Sequence, residues 1–102
     1  MSEQLKPLEE RLRGLNKKDF LVLDAVMDIS RSNYHRGGRA PVGFIREILR
    51  EPMSSSELSR VLHKLEKRRL VVGLRTGKRL KLWQAISKAT WEKYRKIKRR
   101  YR

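Results

Sequence analysis

Few side chains in this sequence have a type and spacing that could support catalysis. Asp24 and Asp28 are one helical turn apart, and a pair of carboxylates can serve in acid–base chemistry or bind a metal ion. The histidines are His35 and His63, and cysteine is absent, which excludes a disulfide framework, a thiol nucleophile and a thiolate metal site. The carboxylate pair has no third ligand or nucleophile in its pattern, and acids four residues apart are typical of a solvated helix face. We therefore predict that the protein is not an enzyme and has no metal site and no cofactor.

Positive charge dominates the remaining chemistry of the chain. The 102 residues include 27 lysines and arginines against 11 aspartates and glutamates, which gives a formal net charge of +16. Residues 51–102 hold 17 basic and 4 acidic side chains, whereas residues 1–50 hold 10 and 7. A protein with this charge attracts polyanions. The distribution predicts that the binding surface lies mainly in the second half of the chain.

A strongly patterned helix is predicted at the start of this basic half. Ser54 can cap its N-terminus, and Glu57 three residues later can complete a capping box. Its apolar stripe follows the i, i+3, i+4, i+7 spacing of a buried helix face and consists of Leu58, Val61, Leu62 and Leu65. The other side is small, polar and basic, as a helix in a DNA groove must be. The candidate DNA-binding residues on that side are Ser55, Ser56, Ser59, Arg60, His63, Lys64 and Lys67.

A basic hairpin is predicted immediately after this helix. Its apolar residues share one face of two paired strands only if the loop between the strands has an odd number of residues. These residues are Leu70, Val72, Leu74, Leu80 and Leu82. We predict a three-residue loop at 75–77, in which Gly77 adopts the left-handed conformation. The opposite face and the tip then carry four further candidate DNA-binding residues, Arg75, Lys78, Arg79 and Lys81. The alternative is that these charges only protect an exposed strand edge.

Four other helices are predicted to position these two elements. They cover residues 7–13, 17–32 and 41–50, and a last helix begins at Ser87. Asn16 and Asp19 form another capping box at the start of the longest one. Pro52 ends the helix at 41–50 only a few residues before the Ser54 cap. Two helices joined by a tight turn are typical of a helix-turn-helix motif.

The two terminal helices have apolar stripes that another surface must cover. The N-terminal helix is too short to bury its leucines on itself, so we expect it to dock either on its own domain or on a second subunit. The candidate dimer contacts are Leu5, Leu8, Leu12, Trp91 and Tyr94. Basic residues in the glycine-rich loop and the C-terminal tail could contact phosphates without reading sequence, namely Arg36, Arg39, Arg99 and Arg100.

The predicted order of helices and strands resembles that of the winged-helix superfamily. The run LSRVLHKLEKRRLVVGLRTGKRLKLWQAISKATWEKY is similar to the third helix, wing and following helix of MarR-like and small archaeal transcription regulators. In this comparison residues 65–71 match the exit from the third helix, residues 75–79 match the wing, and Ser87 opens the last helix. The resemblance covers about residues 16–97. It implies that the third helix of the core lies in the major groove and that the wing contacts the backbone or the adjacent minor groove.

We therefore predict one mainly α domain with a small β-hairpin over residues 1–102. It is a winged helix with a three-helix core and wing at residues 16–85, an N-terminal helical arm at 1–15 and a basic C-terminal helix at 86–102. The predicted function is sequence-specific or architectural binding of double-stranded DNA by a small transcription regulator or chromatin-type protein, with a homodimer as one expected assembly. An RNA- or ribosome-associated protein is the alternative, which the aromatic and basic last helix would favour. A pure protein-interaction module is disfavoured by the charge of the second half.

Two further expectations concern the setting of the protein. No apolar run approaches the length of a membrane span, so we expect no membrane partner and a cytoplasmic, nucleoid-associated protein. The absence of cysteine, the scarcity of asparagine and glutamine and the many lysines, arginines and glutamates are typical of a thermophile.

Overall fold

The computed structural model describes residues 7–32, 40–76, 80–85 and 88–97, with the backbone alone at 31, 32, 76, 80 and 88–91. The helices in this part are α1 (Leu8–Leu12), α2 (Lys17–Ser32), α3 (Val42–Ile48), α4 (Ser55–Lys67) and α5 (Lys88–Ile97). The strands β1 (Val71–Thr76) and β2 (Leu80–Ala85) pair antiparallel between α4 and α5. The mainly helical fold with one hairpin, predicted from the sequence, is confirmed.

The helix α2 lies at the centre of the core. Its residues Val22, Leu23, Val26 and Ile29 are almost completely buried, and it contacts α3, α4, α5 and β2. Its start follows the predicted capping box, because Asn16 Oδ1 accepts from the Asp19 N–H at 2.9 Å and Asp19 Oδ2 accepts from the Asn16 N–H at 3.0 Å. This helix is the support on which the other elements are arranged.

The turn between α3 and α4 sets the start of the basic helix. The α3 helix ends at Ile48, two residues earlier than predicted, because Leu49 has an extended backbone. Ser54 Oγ accepts from the Glu57 N–H at 3.1 Å, which confirms Ser54 as the cap of α4. The Glu57 carboxylate accepts from Lys18 Nζ at 2.6 Å, so it links α4 to α2.

The hairpin has the predicted odd loop, but its register differs from the prediction. Thr76 pairs with Leu80 and Leu74 pairs with Leu82, so three residues separate the strands, and these are 77–79 rather than 75–77. The conformation predicted for Gly77 lies outside the described residues. A loop centred on residue 78 keeps the same side chains on the same face as a loop centred on residue 76. The alternation of apolar residues could not distinguish these two registers.

The hairpin is also buried on a face that the sequence predicted to be charged. Val71, Trp83 and Ala85 are buried there. On the predicted apolar face Leu70 and Leu82 are buried as predicted, but Val72 and Leu74 are only partly buried. The reason is tertiary, because β2 is covered by α2 and by the segment at Ala40. Trp83 exchanges two backbone hydrogen bonds with Ala40, at 2.8 and 3.0 Å, which holds the base of the hairpin inside the domain.

The helices α1 and α5 pack on the rest of the same chain. Leu8, Leu12 and Tyr94 are each no more than 2% exposed, and the Tyr94 hydroxyl donates to Asp24 Oδ1 at 2.6 Å. Of the two alternatives for the N-terminal stripe, docking on its own domain is therefore the one observed for Leu8 and Leu12. Asp24 is engaged structurally, and no group of three metal-ligating side chains occurs in the described part of the chain.

Arginine side chains connect the end of α1 to the end of α4. Arg11 Nη1 donates to the Arg69 carbonyl at 2.6 Å, and burial lowers the pKa of Arg11. Arg68 in turn donates to the carbonyls of Arg11 and Arg13. Gly14 follows with a φ of +83°, a conformation that side chains other than glycine rarely adopt. No helix among the described residues is long and apolar enough to cross a membrane.

Candidate nucleic-acid interface

The α4 helix has one buried side and one exposed side. Leu58, Leu62 and Leu65 are fully buried against the core. On the opposite side the side chains are polar or basic, and we call them the α4 face: Ser55, Ser56, Ser59, Arg60, His63 and Lys67. All of them are exposed except Ser59, which is partly buried. The structure therefore brings these six predicted residues together on one surface.

The N-terminal half of the α4 face has a low profile. Serines at positions 55, 56 and 59 leave little bulk above the helix backbone, so a ligand could approach it closely. The end of the helix also carries a partial positive charge from its unpaired N–H groups, which favours an approaching phosphate. This half is thus suited to close contact, whereas Arg60, His63 and Lys67 extend further outward.

Lys64 is held away from the α4 face by a buried acid. Its Nζ donates to Asp19 Oδ2 at 2.6 Å, and the two side chains are 39% and 3% exposed. The same Asp19 oxygen also accepts from the Asn16 N–H at 3.0 Å. The ion pair fixes α4 on α2, so this predicted DNA-binding residue has a structural partner in the free protein.

His63 is held in one orientation at the edge of the α4 face. Its Nδ1 lies 2.8 Å from the Ser59 carbonyl oxygen. Its ring meets the Trp83 ring edge to face, with centroids 5.4 Å apart and an interplanar angle of 85°. Since Trp83 is 1% exposed and belongs to β2, His63 marks the place where α4 meets the hairpin.

The hairpin is attached to α4 by a second acid, Glu66. Glu66 Oε2 accepts from the Gly73 N–H at 3.2 Å, while its Oε1 lies 3.6 Å from Lys81 Nζ. Lys81 Nζ also lies 4.7 Å from the centroid of the Trp83 ring. A Cβ at Gly73 would lie 2.5 Å from Lys81 Cε, so the absence of a side chain there makes room for Lys81. Lys81 is thus turned toward α4, whereas Arg75 on β1 is exposed.

Several predicted residues lie outside the described part or in the core. The candidate contacts Lys78, Arg79, Arg36, Arg39, Arg99, Arg100 and Leu5 are outside the described residues, as is the side chain of Trp91. Leu8, Leu12 and Tyr94 have almost no surface left with which to contact a second subunit.

The structure also adds cations that the sequence argument did not select. Lys17, Lys18, Arg46 and Arg50 surround the turn before α4, and all four are exposed. Arg46 Nε donates to the Met53 carbonyl at 3.0 Å, and Lys17 pairs with Glu51 at 3.4 Å. The hydrogen bond from Lys18 to Glu57, together with the charge of that carboxylate, raises the pKa of Lys18. These four cations cluster because α2 approaches the turn before α4, a contact between segments that no local sequence pattern encodes.

The shape of the domain matches a solved winged helix. A homodimeric winged helix-turn-helix DNA-binding domain from Mycobacterium bovis, from a possible ArsR-family transcriptional regulator, superposes with a TM-score of 0.64 at 16% sequence identity. The match covers 89% of this chain and 71% of that one. No protein-family model matches the sequence, and a search of curated proteins finds no relative. At this identity the likeness establishes the fold, and the chain is a winged helix with flanking N- and C-terminal helices.

Proposed function

We propose that the protein binds double-stranded DNA, as a small transcription regulator or a chromatin-type protein. The observation that carries this proposal is the α4 face, which is exposed except at the partly buried Ser59. Its side chains are small in its first half and basic in its second. Its helix is the second of the helix-turn-helix pair and adjoins the hairpin. The net charge of +16 supplies the long-range attraction to a polyanion.

In this proposal α4 lies in the major groove. Its 13 residues span about 20 Å, and a major groove about 12 Å wide admits a single helix. Arg60 and His63 would reach base edges, while the serines allow the helix to approach. The wing would contact the backbone or the minor groove through Arg75, Lys78 and Arg79. Contacts with the DNA backbone position the protein, and contacts with base edges specify the site.

A homodimer is the assembly we propose for sequence-specific binding. Its support is that the similar structure from Mycobacterium bovis is a homodimer. Two copies would place their recognition helices about 34–36 Å apart, on half-sites one helical turn apart. Leu5 and Trp91 remain the candidate contacts of the terminal helices. Sedimentation equilibrium with and without a duplex measures the assembly directly, and a monomer in both samples would contradict it.

Fluorescence anisotropy of labelled duplexes tests DNA binding itself. With about six to ten phosphates neutralised, affinity should fall by roughly three to five decades between about 50 and 200 mM salt. Arg60→Ala should weaken binding, whereas Arg95→Ala on the exposed face of α5 removes the same charge elsewhere and serves as the matched control. An affinity for duplex DNA that does not change with salt concentration would contradict the proposal.

Competition with structured RNA distinguishes a DNA-binding protein from the main alternative, an RNA- or ribosome-associated protein. The proposal predicts that duplex DNA displaces RNA at equal salt, because the deep, narrow major groove of an RNA duplex does not admit a helix such as α4. Displacement in the opposite direction would instead support an RNA-associated protein. Association with the nucleoid follows from the same charge and can be measured by crosslinking in cells.

A further inference from the structure

We propose that His63 is a specificity residue that accepts a hydrogen bond from the exocyclic amino group of cytosine or adenine in the major groove. This inference rests on the proposed binding of duplex DNA by α4. It concerns which atom of His63 meets the base and therefore which bases it selects.

The contact with Ser59 determines where the hydrogen of the imidazole is. A backbone carbonyl oxygen can only accept a hydrogen bond, so the 2.8 Å contact requires a hydrogen on Nδ1. In the neutral ring the other nitrogen, Nε2, then carries a lone pair and no hydrogen. The atom of His63 that remains for a ligand is therefore an acceptor.

The ring is held in this orientation before any ligand arrives. The Trp83 ring packs against it nearly at right angles. Trp83 cannot easily move, because it is buried and its backbone N–H and carbonyl are both bonded to Ala40. Two constraints on one exposed side chain lower the entropy lost when it binds a base.

The position of His63 on α4 suits a contact with a base. It follows Ser55 and Ser59 at intervals of four residues, so the three lie along one line of the α4 face. In the major groove cytosine presents the N4 amino group and adenine the N6 amino group as donors, whereas the O6 and N7 of guanine and the O4 of thymine are acceptors. An acceptor at Nε2 can therefore pair with cytosine or adenine, whereas it would face a lone pair on guanine or thymine. Arg60, which can only donate, has the opposite preference.

Selection from random duplexes identifies the base that His63 contacts. Wild-type protein and His63→Ala are compared at about pH 8, above the ordinary titration range of histidine. We expect wild type to prefer cytosine or adenine at one position of the site, and the variant to lose that preference. His63→Gln, whose amide pairs with adenine through two hydrogen bonds, should move the preference toward adenine.

A base analogue then tests the hydrogen bond itself. At the identified position cytosine is replaced by 2-pyrimidinone, or adenine by purine, each of which lacks the amino group. We expect wild type to lose about threefold to tenfold in affinity and His63→Ala to lose nothing further. Lys67→Ala, one turn along the same exposed face, is the control and should weaken all duplexes alike.

The outcomes separate this inference from the proposed function. A wild-type preference for guanine or thymine at the position, no base preference anywhere, or an equal loss in wild type and His63→Ala would overturn the role of His63. DNA binding by α4 would stand in each of these cases. Failure of the wild-type protein to bind any duplex would instead refute the proposed function. Because His63 is exposed, its variants should fold, which circular dichroism checks.

Discussion

Replacing Lys64 with methionine separates the structural use of this residue from a contact with DNA. The substitution keeps an unbranched side chain, one atom shorter than lysine, and removes the ammonium group that lies 2.6 Å from Asp19 Oδ2. The Asp19 side chain is 3% exposed and would keep its hydrogen bond from the Asn16 N–H at 3.0 Å. The carboxylate would therefore remain buried without the ammonium group that pairs with it.

The expected loss of unfolding free energy follows from these exposures. Removing one partner of a fully buried ion pair costs about 3–5 kcal/mol. Lys64 is 39% exposed, so solvent already screens one end of the pair and the cost should be nearer to about 2–3 kcal/mol. Adding Asp19→Asn to Lys64→Met removes the stranded charge, so the double variant should be more stable than Lys64→Met alone.

Urea unfolding followed by far-UV circular dichroism measures this loss. With a slope of roughly 1–3 kcal/mol per molar urea, a loss of about 2–3 kcal/mol should lower the midpoint by about 0.7–3 M. Salt titration of DNA binding is the second measurement. Each phosphate contact contributes about 0.9 to the slope of log K against log salt, and we expect Lys64→Met to leave that slope nearly unchanged.

Arg60→Met is the matched control, because Arg60 is exposed on the same helix. It should change stability by no more than about 0.5 kcal/mol and should weaken DNA binding. The reasoning is refuted if Lys64→Met leaves the urea midpoint unchanged and lowers the salt slope by about one. Lys64 would then be a phosphate contact, as the sequence predicted.

Three other substitutions test local features of the fold. Gly14→Ala should cost about 1–2 kcal/mol of unfolding free energy, because alanine is strained at a φ of +83°; an unchanged urea midpoint would contradict this. Ser54→Ala removes the cap of α4 and should cost about 1 kcal/mol, with a loss of helical signal on heating. Glu66→Gln should free Lys81 from α4 and cost no more than about 1 kcal/mol of unfolding free energy, because both side chains are about 30% exposed. It should also steepen the salt dependence of DNA binding, and a shallower dependence would argue against this.

Much of this protein could be derived from patterns that span only a few residues. The capping bonds of Asn16, Asp19 and Ser54 and the bounds of α2 agree with the sequence, because each depends on atoms within one or two turns of a helix. The buried leucines of α4 follow in the same way from helical spacing. These local rules were sufficient to predict the order of the elements and a polar, basic helix face next to a hairpin.

Contacts between distant parts of the chain decided the rest. Lys64 and Lys67 cannot be distinguished by composition, yet only Lys64 lies opposite Asp19, a residue 45 positions earlier. Lys81 has the alternating position of an outward wing charge, but Glu66 and Trp83 turn it toward α4. The two hairpin registers put the same side chains on each face, so only packing on α2 and Ala40 chose between them. By itself the sequence determined which elements form and where the charge is concentrated, whereas the tertiary structure decided which charges remain available to a ligand, because pairing depends on distance in space rather than on separation along the chain.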